Sequence, residues 1–587
     1  MKNPFKTISH NVDFCVVGGG LAGMLAAISA ARHGVKVALM HERPMLGGNA
    51  SSEIRMWVGG AHGENNRETG ILEEIALENL YRNPYKNYSI WDSILYEKVK
   101  FEPNITLLLN CSCNDAEMDG NKLKSVTGWQ LTTQMWHTVY AKYFADCSGD
   151  SILAPLTGAE FRCGREAADD FNEDIAPCVA DQKTMGLSCL IQAREYEEER
   201  TYIPPVWAEK ISKKDLPFRM PDLNKSSENF WYLELGGTKD SIADTEEIRD
   251  ELLELNFGVW DYIKNSGDID AKNWDLDRMG FLPAKRESRR YVGDYIMTQN
   301  DVRAEGKFDD LVAYGGWSMD DHHPEGFRYE KEPTIYHPAP SPYGIAYRCL
   351  YSKNIENLWF AGRNISTTHT ALSSTRVMAT CALLGQAVGT AAHIAAKYDE
   401  TPRGVYKNHI EELKQSLMDD DCYLPFNKRE LPKLTLNARL YAPHNAKIIQ
   451  NGFERPLNGD GNMWVGKQGE KIEYHFEKKE EICEVRIVFD SDLNRVTVSG
   501  DKEIKNFSMG CNIKLNQVPS SVPKTLIKSF KLETMDDTGK IITIFEEGNN
   551  YQRLVKIPIF ARAKMLRLTP LTTWGSEEFR IFAFDIK

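Results

Sequence analysis

The 587-residue chain has no paired cysteines. Its twelve Cys are scattered, no C-x-x-C occurs, and the closest two are Cys111 and Cys113. A disulfide framework or a structural zinc site needs paired clusters, so reduced, mostly buried thiols in a cytoplasmic protein are expected. No apolar run approaches the ~20 residues that span a bilayer. The segment Met1–Phe14 lacks the apolar core and cleavage pattern of a signal peptide. Positive charge is in short supply: 71 Lys+Arg stand against 84 Asp+Glu, a formal charge of −13. Without a basic footprint for a phosphate backbone, nucleic acid is not expected as a partner. The 42% hydrophobic and 26% charged content excludes a disordered or fibrous chain. The length exceeds the ~250–300 residues at which single cores stop growing, so two or three domains are expected.

The first fifty residues are informative. Asp13–Val17 reads as a short apolar strand, followed at once by Gly18-Gly19-Gly20-Leu21-Ala22-Gly23. Met24–His33 reads as a helix with Gly34 as its C-cap glycine. Val35–Met40 is a second strand, and Glu42 stands 19 residues beyond Gly23. Gly18 permits a tight turn, Gly20 lets the backbone approach a pyrophosphate, and Gly23 lets helix pack on strand. The helix N-terminus favours the phosphate charge, and Glu42 is placed to accept from a ribose hydroxyl.

The stretch that follows, Glu42-Arg43 through Gly47-Gly48-Asn49-Ala50-Ser51, resembles the second phosphate-binding loop of the glutathione-reductase-type FAD family. Tyr140 to Asp150, with the turn Ser148-Gly149, resembles that family's strand leaving the FAD domain. Asn357 to Asn364 resembles the strand ending in Gly-Asp at the ribityl chain, with Gly362 kept and Arg363 in place of the Asp. Ser373-Ser374-Thr375 is expected to open a helix running to Ala392, its N-terminus stabilising reduced flavin. More narrowly, the stretches Gly47–Arg55, Trp57–Gly63, Lys285–Arg290, Tyr314–Gly326 and Pro342–Arg348 resemble a bacterial FAD-dependent oxidoreductase group. Some of its members carry a xanthan lyase label, to which no elimination chemistry is attached here. The resemblance implies FAD as cofactor, with a discontinuous FAD domain over 1–155 and 340–425. There is no second G-x-G-x-x-G after a strand and no C-x-x-x-x-C near the first helix. Neither a separate NAD(P)H domain nor a disulfide centre is therefore expected, and the electron acceptor is left open.

Residues 156–339 fall where this fold places an inserted α+β substrate domain. Thr245–Lys264 carries Ile248, Leu252, Leu253 and Phe257 at helical spacing, as a core stripe. Phe230–Leu235 reads as a strand that could bring Trp231 and Glu234 to a pocket wall. Arg286, Arg289 and Arg290 could clamp a carboxylate or phosphate, or form a salt-bridge network. Asp320–His323 reads as a loop with two imidazoles beside two carboxylates. His322, His323, His62 and His369 are rival proton-transfer groups. No metal is expected, since adjacent histidines in one loop point different ways.

From about residue 435 to 587, short alternating strands separated by turn residues signal an all-β sandwich. Asn451–Pro456, Trp464 and Phe489–Leu493 resemble a discoidin-like, galactose-binding-like module. Trp464 or Trp574 could then contact a sugar, or the module could serve packing or homo-oligomer contacts. The expected fold class is thus α/β: a Rossmann-like FAD domain, an inserted α+β domain and a C-terminal β-sandwich. The expected function is hydride transfer between flavin N5 and a small molecule, with a carbohydrate or sugar-derived alcohol as the leading substrate. The alternatives are a fumarate-reductase-like alkene reductase with Arg as proton donor, and a sugar-binding protein whose FAD is structural.

Overall fold

The computed structural model describes residues 5–225, 228–499, 502–505, 509, 511–536 and 538–587. The chain divides into two compact units. The first comprises Met1–Ala61, Lys86–Leu413 and Phe507–Val518; the second comprises His62–Tyr85, Lys414–Asn506 and Pro519–Lys587.

The first unit is built on a seven-stranded sheet. Strands β1 (Thr7–Val17), β2 (Val37–Met40), β3 (Ile105–Leu108), β4 (Cys111–Asp119), β5 (Lys122–Gln130) and β6 (Met135–Asp146) lie in the order β3-β2-β1-β6-β5-β4. Strand Leu358–Phe360 adds to the C-terminal half of β6 in parallel. β1 is parallel to β2 and β6, and β2 to β3; β4, β5 and β6 form an antiparallel meander. The parallel part is buried on both faces, which explains the unbroken apolar runs of β1's C-terminal half and β2. Helix α1 (Leu21–Arg32) follows β1, and Gly34 ends it at φ +89°.

The 21-residue helix Met378–Tyr398 is long and apolar enough to cross a membrane, yet it is mostly buried within this unit. It packs on α1 at glycine: a Cβ on Gly385 would lie 2.0 Å from the Ala22 carbonyl oxygen, and one on Gly389 2.2 Å from that of Ala26. This helix does not begin at Ser373 as expected. His369–Thr375 forms a separate short helix, and the chain breaks at Arg376 and Val377, where Val377 is extended.

The inserted segment has its own core. Helix Thr245–Asn265 buries Ile248, Leu252, Leu255, Val259 and Trp260 against Leu187, Ile191, Phe230 and Leu235. Phe257 is only half-buried, against the Trp207 ring. Phe230–Leu235 is not a strand: Phe230 takes φ +58° and only Leu235 bridges to Leu187. Asp320–His323 is not a loop: Met319–His322 is a strand paired antiparallel with Thr334–His337.

The second unit is an antiparallel β-sandwich with two very long strands, Ile472–Phe489 and Leu554–Thr573, that change partners along their length at bulges. Its core holds Tyr474, Val485, Phe489, Phe530, Leu568 and Phe584, and helix Ile71–Arg82 contributes Leu77 and Leu80 to it. Trp464 is 1% exposed and donates its indole N–H to the Pro443 carbonyl at 3.0 Å. It is a core residue, and the expectation that it contacts sugar is corrected. The Trp574 indole N–H likewise goes to the Asn550 carbonyl at 2.8 Å.

Candidate functional site

The C-terminal ends of β1, β2, β6 and Leu358–Phe360 open into one cavity of about 610 Å³, within the ~300–1,000 Å³ usual for cofactor and ligand sites. A crevice at the carboxyl ends of parallel strands is where this topology leaves loops and free backbone groups.

Two glycine loops line it: Gly18, Gly20, Leu21 and Ala22 after β1, and Glu42, Arg43, Gly47, Gly48 and Asn49 after β2. They are zipped together. The Gly47 N–H donates to the Gly19 carbonyl at 2.8 Å, and Gly20 and Gly47 form a bridge. The residue that fastens them went unnoticed in the sequence. His41 Nδ1 accepts the Gly19 N–H at 3.0 Å, so its other nitrogen, Nε2, donates to the Met45 carbonyl at 3.0 Å. Burial, with help from Arg43, pushes the His41 imidazole down to about 4. Ser51 lies behind the loop with its hydroxyl on the Gly48 carbonyl at 2.7 Å and does not line the cavity.

The glycines fit a dinucleotide. Gly18 has φ +105°, open only to glycine at low cost. A Cβ on Gly23 would lie 1.8 Å from the Gly18 carbonyl oxygen, so Gly23 is demanded by packing. Gly20 is different. A Cβ there would meet nothing nearer than the Gly48 Cα at 4.0 Å, so the bare backbone serves whatever enters the cavity. It stands at the N-cap of α1, where unpaired N–H groups and the helix dipole suit a phosphate.

The loops after β6 and after Leu358–Phe360 complete this part. Ser148, Gly149 and Asp150, and Gly362 and Arg363, all line the cavity. Asp150 holds Lys285 at 2.8 Å and Arg363 at 2.5 Å and accepts from Ser288 at 2.8 Å. Burial would raise its carboxyl, but Arg363 and Lys285 hold it down at about 2. Arg363 thus brings a carboxylate with it where the family pattern has Asp at its own position. Arg43, Lys285, Arg289 and Arg363 against Glu42 and Asp150 leave a positive surplus, matching a pyrophosphate. Ser374 is buried outside the cavity, its hydroxyl on the Trp317 carbonyl at 2.6 Å. The helix end lining the cavity is instead Met378.

A second group, of lining residues and the buried Glu234 beside them, is linked by direct contacts. His322 and Asp320 share a face of their strand, as residues two apart do. His322 Nδ1 lies 2.6 Å from Glu234 Oε2, and its Nε2 lies 3.2 Å from Asp320 Oδ1. Asp320 Oδ2 meets Arg376 Nη2 at 3.2 Å, and Glu234 meets Arg286 at 3.5 Å. Burial would raise the Glu234 carboxyl, but Arg286 and His322 hold it down at about 2. Trp231 presents its ring to His322 at 5.4 Å, edge-on. Trp57 and Trp317, 5.7 Å apart and tilted by 51°, also line the cavity.

The other candidates are placed elsewhere. His323 stacks on Tyr329 with centroids 3.6 Å apart and does not line the cavity. His369 is buried behind the cavity wall, Nδ1 on Glu287 at 2.9 Å and Nε2 on Asp321 at 3.3 Å. Burial would lower its imidazole, but Glu287 and Asp321 raise it to about 10. His62 is exposed on the second unit. The arginine cluster does not act as one clamp. Arg286 is committed to the Gly186 and Trp231 carbonyls and Ser188. Arg290 is buried on Glu287, Glu166 and the Thr367 and Gly164 carbonyls. Arg289 alone turns to the Asp150 carbonyl, at 3.4 Å, and over Phe161.

Several solved structures resemble parts of the chain. A geranylgeranyl bacteriochlorophyll reductase-like protein of Thermoplasma acidophilum is 11% identical, over 71% of this chain and 85% of that one, with a TM-score of 0.32. The Mycobacterium smegmatis Sdh1 complex in its apo form is 11% identical, over 70% and 77%, with a TM-score of 0.31. The family 32 carbohydrate-binding module of Streptococcus pneumoniae EndoD is 14% identical, over 26% and 97%, with a TM-score of 0.19. At these scores the likenesses say nothing of ligand or reaction. No curated protein matches the chain. Residues 13–417, however, match the family model described as FAD dependent oxidoreductase, and with the glycine loops and cavity that fit its cofactor, the chain belongs to that family of FAD-using enzymes.

Proposed function

We propose that the protein oxidises an alcohol in this cavity, that a carbohydrate or sugar-derived alcohol is its substrate, and that His322 takes the hydroxyl proton. One observation carries the reading: of the four histidines singled out in the sequence, His322 is the one lining the cavity, and its far nitrogen is held by Glu234. An imidazole with one nitrogen fixed by a carboxylate can act as a general base through the other, here Nε2, which lies on the cavity wall 3.2 Å from Asp320 Oδ1. Glu234, kept ionised by Arg286, orients the ring and stabilises the imidazolium. FAD supplies the two-electron acceptor for the carbinol C–H bond. Gly18–Ala22, Glu42–Asn49, Ser148–Asp150 and Gly362–Arg363 would hold it. The alkene-reductase alternative asks Arg286, Arg289 and Arg290 to grip one carboxylate, and their separate commitments work against it.

The test is an anaerobic one. Holoenzyme mixed with neutral sugars and sugar alcohols is expected to lose flavin absorbance, and His322→Gln to lose that rate while keeping bound FAD. Reoxidation of reduced enzyme by an enoate, with no bleaching by any alcohol, would reverse the proposed direction.

A further inference from the structure

On the wall that carries His322, His322 Nε2 and Asp320 Oδ1 face each other at 3.2 Å without an aligned hydrogen bond, and Arg376 Nε has none. All three residues line the cavity, and His322 and Asp320 are 2% and 8% exposed. A buried polar group without a well-made hydrogen bond is costly, so this wall is a place where a ligand is expected to complete the bonding.

The chemistry of these atoms selects the ligand. Burial would raise the Asp320 carboxyl, but His322 and Arg376 hold it well below the usual carboxylate range, so it accepts only. Arg376 donates only. A substrate carboxylate, itself an acceptor only, would satisfy Arg376 but be repelled by Asp320 3.2 Å away. A hydroxyl both donates and accepts, and satisfies the pair at once. The formal charges here also cancel, Arg286 and Arg376 against Glu234 and Asp320, leaving no surplus for an anion; the cavity's positive surplus stands with the glycine loops. Trp57, Trp231 and Trp317 add apolar ring surface beside the charged groups, suited to the C–H face of a ring whose edge is polar.

We infer that the cavity selects an uncharged polyhydroxylated ring, and that Asp320 and Arg376 are specificity-determining residues that hold the hydroxyl next to the one His322 deprotonates. This rests on the alcohol-oxidation reading above. The 3.2 Å between Asp320 Oδ1 and His322 Nε2 is a spacing that neighbouring ring hydroxyls can bridge. The preference is therefore for a 1,2-diol over an isolated alcohol.

The experiment uses holoenzyme under anaerobic conditions with three sets of probes: methyl pyranosides, the matching uronic acids, and cyclohexanol against cyclohexane-1,2-diol. Flavin absorbance reads reduction and tryptophan fluorescence reads binding. Neutral pyranosides and the diol are expected to bind or react about tenfold or more better than the uronic acids and cyclohexanol. Asp320→Asn is expected to cut that preference by about 10- to 100-fold, the loss of one or two hydrogen bonds to a charged group, with FAD still bound. Should Asp320→Asn fail to hold FAD, the wild-type ratios decide. Uronic acids binding better than neutral sugars, or cyclohexanol matching the diol, would overturn the inference while leaving alcohol oxidation standing. No bleaching by any alcohol, with reoxidation by enoates, would overturn both.

Discussion

Replacing His41 by Leu tests whether the cofactor loops are held by an imidazole. In the wild type, His41 Nδ1 is the acceptor for the Gly19 N–H, in a loop that must stay rigid around a pyrophosphate. Leu leaves that buried N–H without a partner, at about 1–3 kcal/mol, or a ~5- to 150-fold weakening of FAD binding if the loop strain falls on the bound state. The pH dependence follows from the same bond. A folded-state value of about 4 against the ordinary ~6.5 means the unfolded chain binds the extra proton first. The stabilisation is therefore complete above pH ~6.5 and lost as pH falls from there through ~4, by about 3 kcal/mol in all. Protonated Nδ1 cannot accept from Gly19, so FAD should be released as pH falls through about 4, where the folded-state imidazole takes up its proton. Fluorescence of released FAD, recorded against pH, checks this. The wild type is expected to show an acid limb centred near pH 4, and His41→Leu to bind weakly at neutral pH with that limb flattened. A His41→Leu variant with wild-type affinity and an unchanged acid limb would refute the reasoning.

His322→Gln should slow alcohol-dependent flavin reduction by ~10²- to 10⁴-fold, the usual contribution of a positioned base, whereas His323→Ala should change it little; stopped-flow absorbance separates the two, and equal effects would defeat the assignment. Gly23→Ala should yield protein without bound FAD, because its Cβ meets the Gly18 carbonyl oxygen at 1.8 Å, while Gly34→Ala, strained at φ +89° but with nothing within 4 Å, should lose some stability and keep its visible spectrum. His369, raised to about 10 from an ordinary ~6.5, stabilises the fold fully below pH ~6.5 and loses that contribution as pH rises through ~10. Thermal melts should show that alkaline decline in the wild type. His369→Gln should be less stable at pH 7 and lack it, and a steeper alkaline decline in the variant would contradict the ion-pair account.

The cofactor half of the site was legible because its signals are local. A strand, three glycines at fixed spacing, a helix and a second strand follow one another within Asp13–Glu42, and the steric demand on Gly23 arises against Gly18, five residues away. His41 escaped notice because its role is not local: its partner is Gly19, across two strands of a parallel sheet, and a histidine at a strand end carries no pattern of its own. The break at Arg376 and Val377 was likewise silent. No Pro or Gly marks it, and the apolar, small-residue composition runs on through both helices. Trp464 reads as a sugar-facing aromatic only through the discoidin-like resemblance, but burial of an indole needs only one acceptor, which the Pro443 carbonyl supplies.

The reacting half was illegible for a reason that strand geometry makes concrete. Met-Asp-Asp-His at 319–322 has neither the β-branched nor the aromatic residues that announce a strand, so it read as a loop in which both imidazoles were equal. Once Met319–His322 pairs with Thr334–His337, the two-residue repeat separates them. Asp320 and His322 fall on the cavity face, and Asp321 falls on the opposite face, where it meets His369. The same alternation that brings a base and an acceptor together on the cavity wall thus withdraws a second histidine into the core as a structural cation. The arginines repeat the lesson. Three guanidinium groups within Arg286–Arg290 suggest a clamp only if they converge, and convergence is what backbone geometry decides. Here each meets carbonyls or carboxylates of its own, and the arginine proposed to hold the substrate is Arg376, which sits at the unannounced helix break.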